Sequence, residues 1–182
     1  MSGRVSSEAS DAVGLIITLL VRYPEIATIV SHPKDGTLTL SFAIASPLRR
    51  AVDRLVREDV EDHVCALLEI GRDRPDTLDV LCESDAGMSF VRITRDARSF
   101  SREEIGVLVA VLAERFGATL VRSPASDDEV EEDGAADELV DYAIEALRDP
   151  TQQRSLVGFR EEKRVLVYFM KPRKKASIRA RP

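Results

Sequence analysis

The sequence predicts an α+β protein of layered helix–hairpin units, in the order α-ββ-α-ββ-α-β-α-ββ, with a mostly antiparallel sheet. Three observations carry this. Residues 37–45 alternate strictly: Leu38, Leu40, Phe42 and Ile44 point one way, Thr37, Thr39 and Ser41 the other. Leu48, Val52, Leu55, Val56, Val64, Leu67 and Leu68 recur at helical spacing. Ser101 and Glu104 form a Ser-x-x-Glu capping box, with Phe100 and Ile105 placed as its hydrophobic staple.

The elements follow in order. Residues 1–7 are Ser-rich and read as loose, and a first helix runs from Glu8 to Tyr23, where Pro24 stops it. Its apolar residues lie nearly all round, so it should be buried or face a partner. A hairpin follows, 26–31 and 37–45, with Gly36 supplying the positive φ of its turn. Ser46 and Pro47 suit the N-cap and first position of the second helix, and Gly71 suits its end. A second hairpin, 77–83 and 88–94, turns at Ser84-Asp85-Ala86-Gly87. The two hairpins place their turn glycines 51 residues apart, a spacing that suggests duplication without residue identity.

The third helix starts at the capping box, buries Ile105, Leu108, Val109, Leu112 and Phe116, and ends at Gly117 before a short strand at 118–122. A fourth helix, 138–148, buries Leu139, Val140, Ala143, Ile144 and Leu147. A last hairpin pairs 155–160 with 164–170. Its second arm is apolar on both faces, with Val165, Val167 and Phe169 against Leu166, Tyr168 and Met170. That pattern predicts a central strand, or one lying between a helix and a partner subunit. Organisation follows: a main domain over 8–123, an acidic linker or loop over 124–136, a helix plus hairpin over 137–170 that completes the same sheet or stands apart, and a basic tail over 171–182.

Composition narrows the function classes. The chain has 182 residues, 44% hydrophobic and 32% charged, enough to bury a core without staples. Its net charge of -6 disfavours a dedicated duplex-DNA binder. Charge is uneven: Asp127 to Asp141 carries only acids, while Lys171, Arg173, Lys174 and Lys175 open a tail that carries only bases. Such a tail suits an acidic protein partner or RNA, although no aromatic residue interleaves it for base stacking. Two cysteines, Cys65 and Cys82, make no disulfide framework. The apolar run from Ala12 to Val21 is too short to span a membrane, where about 20 residues are needed, so the expected location is cytoplasmic with no membrane contact.

Chemistry-bearing motifs are scarce. No Gly-rich phosphate loop, nucleophile elbow, zinc-ligand pair or calcium loop occurs, so neither a cofactor nor a metal is called for. Asp59 and His63 share a helix face at i,i+4, which suits either a surface pair or an oriented base in an anion site. Arg49, Arg50, Arg54 and Arg57 crowd the start of the second helix, against the macrodipole. They suit an anion or an acidic partner, or they are neutralised by i,i+4 carboxylates. The leading expectation is a non-enzymatic, homo-oligomeric protein–protein interaction or regulatory module, with Tyr168 and Met170 at its interface. An RNA- or ribosome-associated factor using the tail and the Arg-rich helix end is the alternative. An enzyme with an anion site around His63 is a further one.

Overall fold

The computed structural model describes residues 4–123, 133–148, 154–161 and 164–170. It is an α+β architecture with a six-stranded antiparallel sheet. The elements are α1 (Arg4–Arg22), β1 (Ile26–His32), β2 (Thr37–Ile44), α2 (Arg50–Ile70), β3 (Leu78–Asp85), β4 (Met88–Asp96), α3 (Arg102–Phe116), α4 (Asp133–Leu147), β5 (Leu156–Glu161) and β6 (Arg164–Phe169). Strand order is β3-β4-β2-β1-β5-β6. β5 pairs with β1, so the last hairpin belongs to the same sheet as the first two.

The first two hairpins lie side by side with β2 against β4. Ser41 stands opposite Arg92, and these residues are 51 apart, the same offset as the turn glycines Gly36 and Gly87. A local pseudo-twofold axis therefore passes between them and relates the two hairpins. The turns obey the sequence chemistry. Gly36 sits at φ 63, and Ala86 and Gly87 sit at φ 49 and 84, the doubly left-handed pair that a two-residue hairpin requires.

Strand periodicity sorts side chains onto two faces. One face presents Val80, Val91, Ile93, Leu38, Leu40, Phe42, Ile44, Ile29 and Leu156, and all of these join helix residues in one buried cluster. The helices contribute Leu15, Ile16, Leu19 and Leu20 from α1, Val56, Val60, Val64 and Leu68 from α2, Ile105, Leu108 and Leu112 from α3, and Val140, Ala143 and Ile144 from α4. α1 lies directly on β5. The backbone of Gly158 leaves so little room that a Cβ there would drive into Ile16 Cγ2 and stand 3.1 Å from Leu20 Cδ1.

Several boundaries depart from the sequence reading, each for a local reason. α1 begins at Arg4, so residues 4–7 are helical. α2 begins at Arg50 with Arg49 at its cap position and no side-chain cap. Ser46 and Leu48 are instead held by the β3–β4 hairpin: Ser89 Oγ donates to the Ser46 carbonyl at 2.8 Å and accepts from Leu48 N at 2.9 Å. Gly71 keeps a right-handed conformation, and Arg72 takes the left-handed one at φ 57. Leu55, on the expected apolar stripe, is exposed. The short strand after α3 reduces to a helical turn at Gly117–Thr119 and a single bridge from Leu120 to Ile44. α4 begins at Asp133, so the acidic stretch ends earlier than expected, and its residues 124–132 lie outside the described residues. In α4, Leu139 is 58% exposed and not part of the inward face.

The capping box forms only in half. Ser101 Oγ accepts from Glu104 N at 3.3 Å, while the Glu104 side chain turns away from the Ser101 amide. Ser101→Ala is expected to cost about 1 kcal/mol, the usual value of a helix cap, measured by urea unfolding.

Candidate interaction surface and buried charge network

The second face of the sheet carries Leu81, Phe90, Val30, Val157, Phe159, Leu166 and Tyr168, interspersed with Thr28, Thr39, Ser41, Arg92 and Thr94. None of these residues joins the buried cluster beneath the helices, and no described helix packs on them. The register builds an apolar patch at one end. Val30 stands opposite Val157, Val157 opposite Tyr168, and Phe159 opposite Leu166. Across the diagonal, the Phe159 and Tyr168 rings stack with centroids 5.9 Å apart and planes 24° from parallel. Tyr168 remains 53% exposed, and Met170, two residues on, 41%.

The patch ends at the sheet's rim, because β6 is an edge strand. Of the two placements the sequence pattern allows, a central strand or one between a helix and a partner subunit, the central one is excluded for β6. Its two apolar faces arise differently: α1 packs over Val165 and Val167, and the patch takes Leu166 and Tyr168. Phe169 lies on the helix side, opposite Leu156, but is 40% exposed with the Arg154 guanidinium 4.6 Å above its ring. It is a rim residue, so Phe169→Ala should cost well below the roughly 3–5 kcal/mol of a core phenylalanine.

The Arg-rich start of α2 is partly self-neutralised. Arg57 Nε donates to Asp53 Oδ1 at 2.7 Å, and Arg54 lies 3.6 Å from Glu58. Arg49 and Arg50 are exposed. Asp53 is held below the usual carboxylate range, chiefly by the Arg57 hydrogen bond. Cys82 lies next to this pair. Burial first, and the Asp53 carboxylate second, push its thiol up to about 12, so it is a poor nucleophile at neutral pH. Asp59 and His63 do not form a carboxylate–imidazole pair. The Asp59 carboxylate accepts from Arg115 Nε at 2.7 Å and also from Arg115 Nη2, whereas His63 Nδ1 meets the Asp59 carbonyl oxygen at 2.7 Å on an exposed surface. The tail residues Lys171, Arg173, Lys174 and Lys175 lie outside the described residues. No cluster of three metal-ligating side chains occurs among the described residues, and no helix there is long and apolar enough to cross a membrane.

A charge network lies at the end of β4, at Arg95 and Asp96, which the sequence reading leaves outside its strand 88–94, and at Glu104, which it places in a capping box. Arg95 is 1% exposed and Glu104 0%. Arg95 Nε and Nη2 donate to Glu104 Oε1 and Oε2 at 2.6 and 3.0 Å, a bidentate fork. Arg95 Nη1 donates to the Thr77 carbonyl at 2.7 Å and to Asp96 Oδ1, and Nη2 to Ser99 Oγ at 3.0 Å. Asp96 collects further donors: the amides of Asp76 and Thr77 on Oδ1, and the Ser99 amide and hydroxyl on Oδ2. The network thereby ties the loop before β3, the end of β4 and the first turn of α3. The missed signal was Arg95-Asp96 ending an apolar strand nine residues before Glu104 in the first turn of a helix.

Compared with protein-family models, curated proteins and solved structures, the chain matches none.

The two network carboxylates shift in opposite directions. Burial raises Asp96, but the Ser99 hydroxyl, the backbone amides of Thr77 and Ser99 and the Arg95 guanidinium together hold it well below the usual carboxylate range. Burial pushes Glu104 up, and Arg95 only partly opposes it. A depressed carboxyl pKa stabilises the fold fully above its unfolded value and loses that contribution as pH falls toward the folded one. Glu104 has the opposite sign: its contribution is present at low pH and fades as pH rises through its folded pKa. The stability difference between wild type and Asp96→Asn should therefore shrink as the pH is lowered from neutral through the carboxylate range. Urea titrations at a series of pH values measure it, and a constant gap would contradict the assignment.

Proposed function

We propose that the chain is a non-enzymatic, cytoplasmic protein–protein interaction module, homo-oligomeric, whose contact surface is the helix-free sheet face together with the β6 rim. The observation that carries this reading is the patch of Val30, Val157, Phe159, Leu166 and Tyr168, which adjoins an exposed edge. A sheet face left to water carries polar residues, as Thr39, Thr94 and the exposed Arg92 do on the neighbouring strands. Contiguous apolar groups open to one side mark association surfaces. The ion pairs Asp53–Arg57 and Arg54–Glu58 on α2, and Arg95 with Asp96 and Glu104 at the β4 end, support the same direction.

Light scattering of wild type, Tyr168→Asp and Phe159→Asp tests the reading. Wild type should be an oligomer at tens of micromolar, and both variants folded monomers with unchanged circular dichroism. A monomeric wild type, or variants that keep its mass, would overturn it.

A further inference from the structure

We infer that β6 pairs antiparallel with the β6 of a second copy of this chain, about a twofold axis at Val167. This rests on the association surface proposed above and specifies its partner and register.

The backbone sets the register. Within the hairpin, Glu161 stands opposite Arg164, and Met170 N donates to the Ser155 carbonyl at 2.8 Å. Hydrogen-bonded pairs alternate along an antiparallel ladder, so Arg164, Leu166, Tyr168 and Met170 turn their amides and carbonyls toward β5. Val165, Val167 and Phe169 then turn theirs outward, and no strand lies beyond β6 among the described residues. Pairing centred on Val167 matches Val167 with itself and Val165 with Phe169 of the other copy. All three outward amides and all three carbonyls of each strand are satisfied within the strand. An axis at Leu166 would leave Phe169 to pair beyond the strand's start.

Side chains fit the same axis. A twofold perpendicular to the sheet keeps like faces together. Leu166 of one copy meets Tyr168 of the other on the helix-free face, and Val165 meets Phe169 on the helix face. Arg164 meets Met170, so no like charges oppose each other directly. The strand is its own complement, which is what an isologous interface requires.

The two rims of the sheet differ in protection. β3 exposes Asp79, Glu83 and Asp85 along its length, the charged cover that blunts an edge. β6 carries no charge, proline or bulge from Val165 to Phe169. The neighbouring helix surface is apolar as well. Arg22 of α1 and Arg102 of α3 both reach Asp137 of α4, so α4 lies between α1 and α3. The exposed stripe of Ile17 at 37% and Val21 at 48%, one turn apart, belongs to α1, the helix that packs on β6. It adds apolar area to a strand pair that alone would fall below the roughly 800 Å² per partner of a stable dimer.

The test combines light scattering with residue-resolved amide exchange. Wild type should be a dimer. The amides of Val165, Val167 and Phe169 should be protected in it and lose protection on dilution, while those of Leu166 and Tyr168 stay protected throughout. Val167→Pro removes only an outward amide, which an edge strand tolerates, and should give a folded monomer. A monomeric wild type with those three amides exchanging freely would overturn the inference. So would a mass that grows without limit on concentration, the mark of β6 pairing with β3 head to tail. Protection in a monomer that vanishes when the chain is cut before Lys171 would assign the edge to its own tail and likewise overturn it. If Val167→Pro stays dimeric while Phe159→Asp dissociates, the sheet-face reading stands and the strand pairing falls. If Val167→Pro dissociates and Phe159→Asp does not, the strand pairing stands and the face reading falls.

Discussion

Gly158→Val is expected to prevent stable folding or to cost at least about 3 kcal/mol, at the upper end of overpacking penalties. The new Cβ would collide with Ile16 Cγ2 before the rest of the valine is counted. Ile16 is β-branched in a helix and fully buried, so its side chain has no alternative rotamer to retreat into. Relief requires α1 to lift from β5, which also disturbs the α1–α4 packing. A strand ordinarily gains from valine, so propensity alone predicts the opposite sign. Urea unfolding of Gly158→Ala, Ile16→Ala and the double variant forms the decisive cycle. The pair should be strongly coupled, with Ile16→Ala rescuing part of the loss caused by Gly158→Ala. Additive losses would show that the close approach is not what constrains this position.

Arg95→Met is the second large effect, expected at about 3–5 kcal/mol because it leaves Glu104 buried without its counter-charge and the Thr77 carbonyl with the Asp96 amide as its remaining donor. Replacing both ends of the fork behaves differently. Arg95→Met combined with Glu104→Leu removes the uncompensated charge and should recover much of the stability, because desolvating an ion pair cancels most of its attraction. Asp96 keeps its donors from Ser99 and from the amides of Asp76 and Thr77 in either variant. Chemical denaturation of the three proteins measures this. A double variant as unstable as Arg95→Met alone would show that the fork stabilises beyond what packing can replace.

The hairpins were legible in the sequence because their signals are local. Gly36 and Gly87 fix the turns, and the alternation of β2 fixes which face is dry. The start of α2 was not, because Ser46 and Pro47 carry the right chemistry for a cap, but Ser89 of another hairpin holds the Ser46 carbonyl and the Leu48 amide on either side of the proline. Likewise Glu104 satisfied a capping pattern, and only the fold brings Arg95 to its side chain. The central placement of β6 fails for a related reason. Apolar residues on both faces report that both faces are shielded from water to some degree, whereas a strand's rank within a sheet is set by backbone partners that leave no mark on side-chain pattern. Of the interface residues named from sequence, Tyr168 and Met170 share the helix-free side. Phe159 and Val30, which complete the patch, became visible only through the β1–β5 pairing.

That pairing also orders events in time. Thr28 meets Phe159, residues from opposite ends of the chain, whereas β1 with β2 and β3 with β4 close short loops. Closing a long loop is entropically slow, so the two early hairpins and their β2–β4 seam should assemble first and the last hairpin should dock late. In the native state the same hairpin has one sheet neighbour, β1, and should detach at lower free energy than the β2–β4 centre. The segment that closes the fold is therefore the one that opens it, and the exposed rim belongs to the least cooperative part of the sheet.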